Sequence, residues 1–253
     1  MFKHAIVKTP CHAMINGITE AQLGAPHYAL ALQQHQNYIQ ALKQCGVAVT
    51  VLPADENFPD SCFVEDPAIL TKACAIITNP GASSRKGETD AIEKAVKAFY
   101  PKVERIQPPG TLDGGDVMMV NNHFFIGLSD RSNSNGANQL IAILESHGMS
   151  GSCVAMSEML HLKTGLSYLE NNHLVASGAF LQHAAFEKFN VLAVDPDESY
   201  AANCIWVNGT VIMPAGFAKT QKKLRQAGFD VLPVDVSEFQ KLDGGLSCLS
   251  LRF

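Results

Sequence analysis

The chain has 253 residues, of which 47% are hydrophobic and 17% charged, and its formal net charge is −5. This composition excludes a disordered, collagenous or coiled-coil chain, no apolar run approaches a membrane helix, and the acidic balance argues against nucleic acid as a partner. Seven cysteines without a C-x-x-C pair, and an N-terminus without an apolar signal segment, predict reduced thiols in a cytoplasmic protein.

The predicted elements begin with a strand at residues 2–8, an amphipathic helix at 27–44 and a strand at 47–52. Four hairpins of two short apolar runs follow, at 65–78, 113–126, 163–176 and 203–213. Asn-Asn and Asn-Gly pairs between the runs supply the positive φ angles that tight hairpin turns need. Helical spacing of apolar residues predicts three more helices, at 89–99, 138–146 and 219–227.

The polar starts of these segments recur along the chain. They are separated by 47, 50, 40 and 40 residues and lie at Asp66, Asp113, Lys163, Asn203 and Asp243. About five ββα-type repeats are therefore predicted, and the absence of a Ser/Gly-rich linker predicts a single domain over residues 1–253. The first strand would complete the last repeat and close a ring. A closed α/β propeller is the main prediction, and an open doubly wound α/β sheet is the alternative.

Equivalent positions of a repeat ring converge on its axis, and those positions hold Glu65, Asp66, Asp113, His161, Lys163 and Cys248. A cysteine, a histidine and an acid together can perform covalent thiol chemistry. A lone cysteine or histidine is more often a core residue, so only the joint placement carries this hypothesis. Carboxylates without a metal or phosphate-binding motif indicate a planar guanidinium ligand. Arg85 and Arg131 could hold a carboxylate at its other end.

Several segments resemble the dimethylarginine dimethylaminohydrolases. They are Asn-Phe-Pro-Asp-Ser-Cys-Phe-Val-Glu-Asp-Pro at 57–67, Leu-Asp-Gly-Gly-Asp-Val at 112–117, residues 127–136, His-Leu-Lys-Thr at 161–164 and residues 243–250. The resemblance runs from residue 2 to 253. It implies the five-bladed α/β propeller (pentein) fold and the hydrolysis of asymmetric dimethylarginine and monomethylarginine to citrulline and dimethylamine or methylamine. The reaction would pass through a covalent cysteine thiouronium, without a cofactor or a metal.

The resemblance also implies roles for individual residues. Cys248 matches the nucleophile, His161 the general acid/base and Asp113 its acidic partner, which is Glu or Asp in the family. Asp66 matches the carboxylate that binds the guanidinium, and Glu65 supports that site. The remaining matches bind the amino-acid end of the substrate. Arg85 and Arg131 match the ligands of the α-carboxylate. Asp60 and the main chain of Ile18 match the ligands of the α-amino group, and Leu242 matches a residue that contacts the substrate through its main chain. The loop at 16–19 would close as a lid, with Gly17 as its hinge.

Three alternatives stay open. Arginine deiminases resemble this chain but typically have Arg-Asp at 65–66 and His-x-Asp at 161–163. This chain has Glu65 in place of that arginine and Lys163 in place of the second aspartate. Without the carboxylate of that aspartate, methylated arginine is favoured over arginine. A non-catalytic pentein binding protein, like the ribosome-associated initiation factor on the same ring, is disfavoured because Cys248 and His161 are present. A cysteine peptidase is disfavoured because its cysteine usually precedes its histidine, whereas here His161 precedes Cys248. The expected partner is a small guanidino substrate, with no nucleic acid or membrane, and the family's monomers and dimers allow a homodimer.

Overall fold

The computed structural model of the protein describes residues 1–156 and 159–253. The strands are β1 His4–Lys8, β2 Ala48–Leu52, β3 Ala68–Leu70, β4 Ala75–Ile77, β5 Val103–Arg105, β6 Val117–Val120, β7 His123–Leu128, β8 Ser150–Ala155, β9 Leu166–Tyr168, β10 His173–Ala176, β11 Asn190–Ala193, β12 Ile205–Val207, β13 Thr210–Pro214, β14 Asp230–Val234 and β15 Leu251–Arg252. The α-helices are α1 Tyr28–Gln44, α2 Glu88–Val96, α3 Ser134–Ser146, α4 Leu162–Gly165, α5 Ala218–Gln226 and α6 Ser237–Gln240. None of the helices in these described ranges has the length and apolar character to cross a bilayer.

The described strands form five three-stranded sheets with one common pattern, in the orders β3-β4-β5, β6-β7-β8, β9-β10-β11, β12-β13-β14 and β15-β1-β2. In each sheet the middle strand pairs antiparallel with one neighbour and parallel with the other. In the last sheet Ala5 lies opposite Arg252 and Ile6 opposite Leu251. The first strand therefore completes the last repeat, as the sequence predicts.

The chain groups into two compact units, one of residues 1–63 and 165–253 and the other of residues 64–164. In the first unit α1 packs Tyr38 and Leu42 into a core with Val7 and Phe239. The Tyr38 hydroxyl also donates to the carbonyl of Leu246 at 3.0 Å, which ties this helix to the C-terminal segment. The single domain over residues 1–253 stays a prediction.

In the second unit, α3 packs against the sheet that contains β7. Leu140 and Leu144 of this helix share a core with Phe124 and Ile126 of β7 and with Ile76 of β4. Because these apolar contacts hold the two sheets of the unit to α3, the loops at the starts of β3 and β6 are anchored to this core. Those loops carry the acidic residues described below.

Most predicted elements are confirmed, with shifted boundaries. Positive φ angles at Asn121, Asn171, Asn172 and Asn208 confirm the hairpin turns. The predicted helix at 138–146 begins earlier, at Ser134, because the Asn133 side chain accepts the N–H of Gly136 at 2.9 Å and caps it. Each repeat also contains a third strand, and four of these (β5, β8, β11 and β14) were not predicted. Between β10 and β11 the chain forms 3-10 turns instead of a helix.

His35 of α1 is a fully buried histidine whose two ring nitrogens have no hydrogen-bond partner among the residues that the structure describes. Burial lowers its pKa from 6.5 to about 4. Between these two values the unfolded chain binds a proton that the folded chain does not. The contribution of His35 to the free energy of unfolding is therefore greatest above pH 6.5, and this contribution falls by up to about 3 kcal/mol as the pH drops towards 4.

We expect His35→Leu to raise the free energy of unfolding, by about 1–3 kcal/mol at neutral pH, because it removes two buried polar atoms that lack partners. The variant should also lose part of the weakening between pH 7.5 and 5. Urea unfolding at both pH values measures this, and His12→Leu, at an exposed histidine, is the control. An identical pH dependence in wild type and His35→Leu would contradict the prediction.

Candidate active site

Three titratable side chains of the second unit form a buried cluster. Asp66 lies just before β3, Asp113 precedes the 3-10 turn that leads into β6, and His161 precedes α4. Nε2 of His161 lies 3.1 Å from Oδ2 of Asp113, and Oδ1 of Asp113 accepts the N–H of Gly81 at 2.9 Å. The exposed fractions of Asp66, Asp113 and His161 are 2%, 0% and 8%. Water is therefore largely excluded from their hydrogen bonds, which strengthens them.

Gly115 allows this close approach. Its N–H donates to Oδ1 of Asp66 at 2.8 Å. A Cβ atom at this position would lie 2.7 Å from Nδ1 of His161 and 2.9 Å from Asp66 Oδ1, which is closer than side-chain carbons pack. The Gly-Gly pair in Asp-Gly-Gly-Asp therefore lets the backbone touch both the histidine ring and the carboxylate.

The charges of the cluster set its protonation. Burial alone lowers the pKa of His161, but the charge of Asp66, the hydrogen bond to Asp113 and the charge of Asp116 outweigh it and raise the pKa to about 9. Burial raises the pKa of Asp66, yet the charges of His161 and Arg85 and the Gly115 N–H lower it to about 2. At neutral pH the cluster thus holds an imidazolium beside carboxylates, which is a proton donor next to groups that bind cations.

Arg85 is buried between two carboxylates, only one of which belongs to the cluster. It donates to Oδ2 of Asp66 at 2.5 Å and to Oε2 of Glu88 at 2.7 Å. Burial lowers the pKa of Arg85, but the charges of Glu88 and Asp66 hold it well above the ordinary value. Arg131 is half-buried, and its backbone lies so close to Gly81 that a Cβ there would be 2.4 Å from the Arg131 carbonyl oxygen. The structure thus describes Arg85 as a counter-ion of Asp66.

Glu65 and Lys163 form an ion pair, with Nζ of Lys163 2.5 Å from Oε1 of Glu65. Both side chains are mostly buried, at 7% and 16% exposure. The ammonium group neutralises this glutamate, so the pair adds no net negative charge for binding a ligand.

Asp66, Asp113 and His161 also offer one ligand atom each within 4.8 Å of one another, which is close enough for a metal ion. Two carboxylates and an imidazole suit a divalent cation when the imidazole is neutral. Here the raised pKa of His161 favours its protonated form, which cannot coordinate a metal. In the described structure, the carboxylates of the cluster contact the protonated His161 and the Arg85 guanidinium. The absence of a metal stays a prediction.

In the first unit, Cys248 lies in the 3-10 turn Ser247–Leu249 and is 9% exposed. Its Sγ accepts the N–H of Gly245 at 3.4 Å. Asn203 holds the neighbouring residue, since its Oδ1 accepts the Ser247 N–H at 2.9 Å and its amide donates to Ser247 Oγ at 3.1 Å. An N–H directed at sulfur favours a thiolate.

Tyr200 binds the backbone just before this turn. Its hydroxyl donates to the carbonyl oxygen of Gly244 at 2.7 Å. Burial and the charge of Cys248 raise the pKa of Tyr200 well above its ordinary value. The turn that presents the thiol is therefore fixed by two side chains, Asn203 and Tyr200, from a segment about 45 residues earlier.

Ile18, Asp60 and Leu242 lie close together in the first unit, and their substrate-binding roles stay predictions. Oδ1 of Asp60 accepts the N–H of Ile18 at 3.0 Å, and Asp60 is 5% exposed. A Cβ at Gly17 would lie 2.7 Å from Asp60 Oδ1 and 3.2 Å from Cδ2 of Leu242. The next residue, Thr19, contacts the segment at 241–243, because its hydroxyl donates to the Lys241 carbonyl oxygen at 2.7 Å. Thr19, Lys241 and Leu242 also line a cavity of about 690 Å³.

Sequence reasoning missed several residues around these groups, namely Glu88, Asp116, Ser129, Ser132 and Asn203. Asp116 was not singled out, although its position in Asp-Gly-Gly-Asp beside Asp113 was a signal. Glu88 follows Arg85 by three residues, and such spacing allows an ion pair. Nothing in the sequence indicates the serines or Asn203, whose partners are distant in the chain.

Comparison with known proteins gives one consistent picture. A family model described as "N,N dimethylarginine dimethylhydrolase, eukaryotic" matches residues 14–173. An N(G),N(G)-dimethylarginine dimethylaminohydrolase from Pseudomonas aeruginosa is 57% identical, with 100% of both chains covered. A relative of the same name from Streptomyces coelicolor is 35% identical and covers 99% of this chain and 96% of its own.

Solved structures are similar over the whole chain. A Cys-to-Ser mutant of the Pseudomonas aeruginosa protein, complexed with citrulline, matches with a TM-score of 0.99 at 57% identity and 100% coverage of both chains. A His-to-Gly variant, solved as its adduct with S-methyl-L-thiocitrulline, also gives 0.99. The N-terminal domain of the cyanobacterial arginine dihydrolase ArgZ gives 0.90 at 18% identity over 100% of this chain and 97% of that chain, which shows the fold alone. The predicted fold class, a five-repeat α/β propeller (pentein), is confirmed.

Proposed function

This chain belongs to the dimethylarginine dimethylaminohydrolase family, and from that premise we propose that it hydrolyses asymmetric dimethylarginine and monomethylarginine to citrulline. It is a hydrolase of C–N bonds, and the second product is dimethylamine or methylamine. The observation that carries the proposal is the buried cluster of Asp66, Asp113 and His161. It combines carboxylates for a guanidinium with a proton for the amine that leaves.

In the first half of the reaction, the guanidinium binds to Asp66 and Asp113, and the Cys248 thiolate attacks its central carbon. The positive charge of the substrate favours the thiolate, as any nearby cation does. The C–N bond to the methylated nitrogen then breaks, and that nitrogen takes a proton from His161, so a neutral amine leaves. A pKa of about 9 keeps this proton on His161 at neutral pH. A thiouronium on Cys248 remains.

In the second half, water attacks the thiouronium carbon, and the now neutral His161 takes a proton from that water. The C–S bond then breaks, which returns the thiolate, and the carbon keeps the oxygen as the carbonyl of the ureido group of citrulline. The hydroxyl proton of that oxygen passes to the solvent, where the released neutral amine takes up one proton. Asp113 binds Nε2 of His161, so Nδ1 is the nitrogen that exchanges protons in both halves. The substrate supplies the positive charge on the reacting carbon, and no oxidant or other co-reactant is needed.

The amino-acid end of the substrate has its own ligands in this proposal. Asp60 binds the α-amino group, because the negative charge of a buried carboxylate favours a charge-assisted hydrogen bond from an ammonium. The main chains of Ile18 and Leu242 complete that side, and the loop at 16–19 acts as the lid. Arg85 and Arg131 bind the α-carboxylate, and Arg85 additionally balances the charge of Asp66.

We expect methylated arginines to be better substrates than arginine, with kcat/KM at least about tenfold higher. The Glu65–Lys163 ion pair is the reason, since an ammonium stands where a carboxylate would be needed to bind the N–H groups of an unmethylated guanidinium. Citrulline formation by the purified protein, measured with asymmetric dimethylarginine, monomethylarginine and arginine in parallel, tests both function and ranking.

Cys248→Ser serves as the background control of that assay. Faster turnover of arginine would move the protein to the deiminase class and make Lys163 the residue to study next. No citrulline from any of the three would contradict the proposed function and leave a non-catalytic role or another guanidino substrate.

A further inference from the structure

Asp116 is a fully buried carboxylate, 0% exposed, at the end of the 3-10 turn that Asp113 begins. Its Oδ1 accepts the N–H of Leu162 at 2.9 Å. Its Oδ2 accepts the hydroxyls of Ser129 and Ser132, each at 2.6 Å. Neither the resemblance nor the mechanism above gives this residue a task.

The contacts of Asp116 lead to both members of the acid–histidine pair. Oγ of Ser132 accepts the main-chain N–H of Asp113 at 3.0 Å while its proton goes to Asp116. Leu162, whose N–H Asp116 also accepts, directly follows His161. One carboxylate therefore holds the backbone on both sides of the 3.1 Å contact between Asp113 Oδ2 and His161 Nε2. Moving either segment would change that contact, and such displacements are costly for catalysis.

The hydrogen bonds around Asp116 favour its ionised form. All three groups described around it are donors, and a protonated carboxyl would need an acceptor. The direction of the Ser129 hydroxyl is fixed as well, since its oxygen accepts the N–H groups of Arg131 and Ser132 at 3.1 and 3.2 Å. Burial raises the pKa of Asp116, while the charge of His161 and these donors oppose that rise.

A buried carboxylate can also be purely structural, and the chain contains one. Glu198 accepts the N–H of Lys219 at 3.0 Å and the N–H and hydroxyl of Thr220, both at 2.7 Å, and so caps α5. Asp116 differs from Glu198 in two ways: it holds the two catalytic segments, and its charge is among those that raise the pKa of His161. These two properties have consequences that stability alone does not.

We propose that Asp116 is a positioning residue of the reaction, which fixes the geometry of the His161–Asp113 pair. The inference rests on the proposed function, because it assigns Asp116 a task through the proton transfers of His161. Partners that orient a catalytic group from behind commonly change activity about 10- to 100-fold when they are replaced.

The test uses two variants that separate charge from geometry. Asp116→Asn keeps the side-chain shape and an acceptor for Leu162, but it loses the charge and turns an NH2 group towards the two serine hydroxyls. We expect its kcat to fall about 10- to 100-fold with KM changed less than about threefold, and the pKa of His161 to be at least about one unit lower. Ser132→Ala keeps the charge but loses the link to Asp113, so its kcat should fall about tenfold while the pKa of His161 stays close to wild type.

NMR of histidine-labelled protein follows the pKa of His161, whose signal is identified by its absence in His161→Gly. Glu198→Gln is the matched control: it should lower the melting temperature and leave kcat and the His161 titration unchanged. If Asp116→Asn behaves like Glu198→Gln, the positioning role is overturned. If Asp116→Asn does not fold, Ser132→Ala decides, and a wild-type kcat in that variant overturns the role.

Failure of the proposed function is a separate result. Wild-type protein that forms no citrulline would contradict the function, whereas the titration of His161 in wild type and Asp116→Asn needs no substrate. An unchanged His161 pKa in Asp116→Asn, with wild-type citrulline formation intact, would overturn the inference alone.

Discussion

Cys248→Ser is expected to reduce citrulline formation from asymmetric dimethylarginine by at least about a thousandfold. The cationic guanidinium of the bound substrate favours the thiolate of Cys248, whereas a serine hydroxyl stays protonated and attacks poorly. The N–H of Gly245, directed at Sγ at 3.4 Å, supports an anionic sulfur and gives no comparable help to a neutral hydroxyl. The loss should appear in kcat, because the proposed contacts to the rest of the substrate are unchanged.

The matched control for this variant is Cys153→Ser, which changes an exposed thiol on β8. It should leave citrulline formation at the wild-type rate. Calorimetry should also show that Cys248→Ser still binds citrulline, which separates lost chemistry from lost folding. More than about 1% of wild-type activity in Cys248→Ser would contradict the nucleophilic role.

The repeats could be predicted from the sequence because their signals are local. Asn-Asn and Asn-Gly turns lie between apolar runs, and the structure has the expected positive φ at Asn121 and Asn208. The third strand was missed in four of the five repeats because these strands lie at sheet edges, with half-exposed residues and weak alternation, as in Asn190–Ala193. The early start of α3 depended on the Asn133 cap, which a Ser-Asn-Gly sequence hides among turn residues.

The candidate site was only partly predictable, for a different reason. The spacing of the repeats placed Asp66 and Asp113 at equivalent positions, and the structure brings both to His161. The tasks of Asp116 and Glu88 depend instead on partners that only the tertiary structure supplies. An aspartate in a turn motif gives no sign that it is buried, and burial is what makes its charge act on a neighbouring histidine.

His161→Gly is expected to separate the two halves of the reaction. With S-methyl-L-thiocitrulline, the group that leaves is a methanethiolate, which departs without a proton from His161. Cys248 should therefore form a covalent adduct. The adduct should then persist, because no base remains to take a proton from the attacking water. Intact-protein mass spectrometry should show one added adduct mass per chain, while citrulline formation falls by at least about a thousandfold.

With asymmetric dimethylarginine the same variant should form far less adduct, since dimethylamine is a poor leaving group unless it is protonated. The double variant His161→Gly with Cys248→Ser is the control and should gain no mass with either compound. The contrast between the two substrates is the informative result, because a histidine that only supports folding would affect both equally. An adduct that hydrolyses at the wild-type rate, or no adduct with S-methyl-L-thiocitrulline in a folded variant, would contradict the assignment of His161 as the acid that releases the amine and the base that activates water.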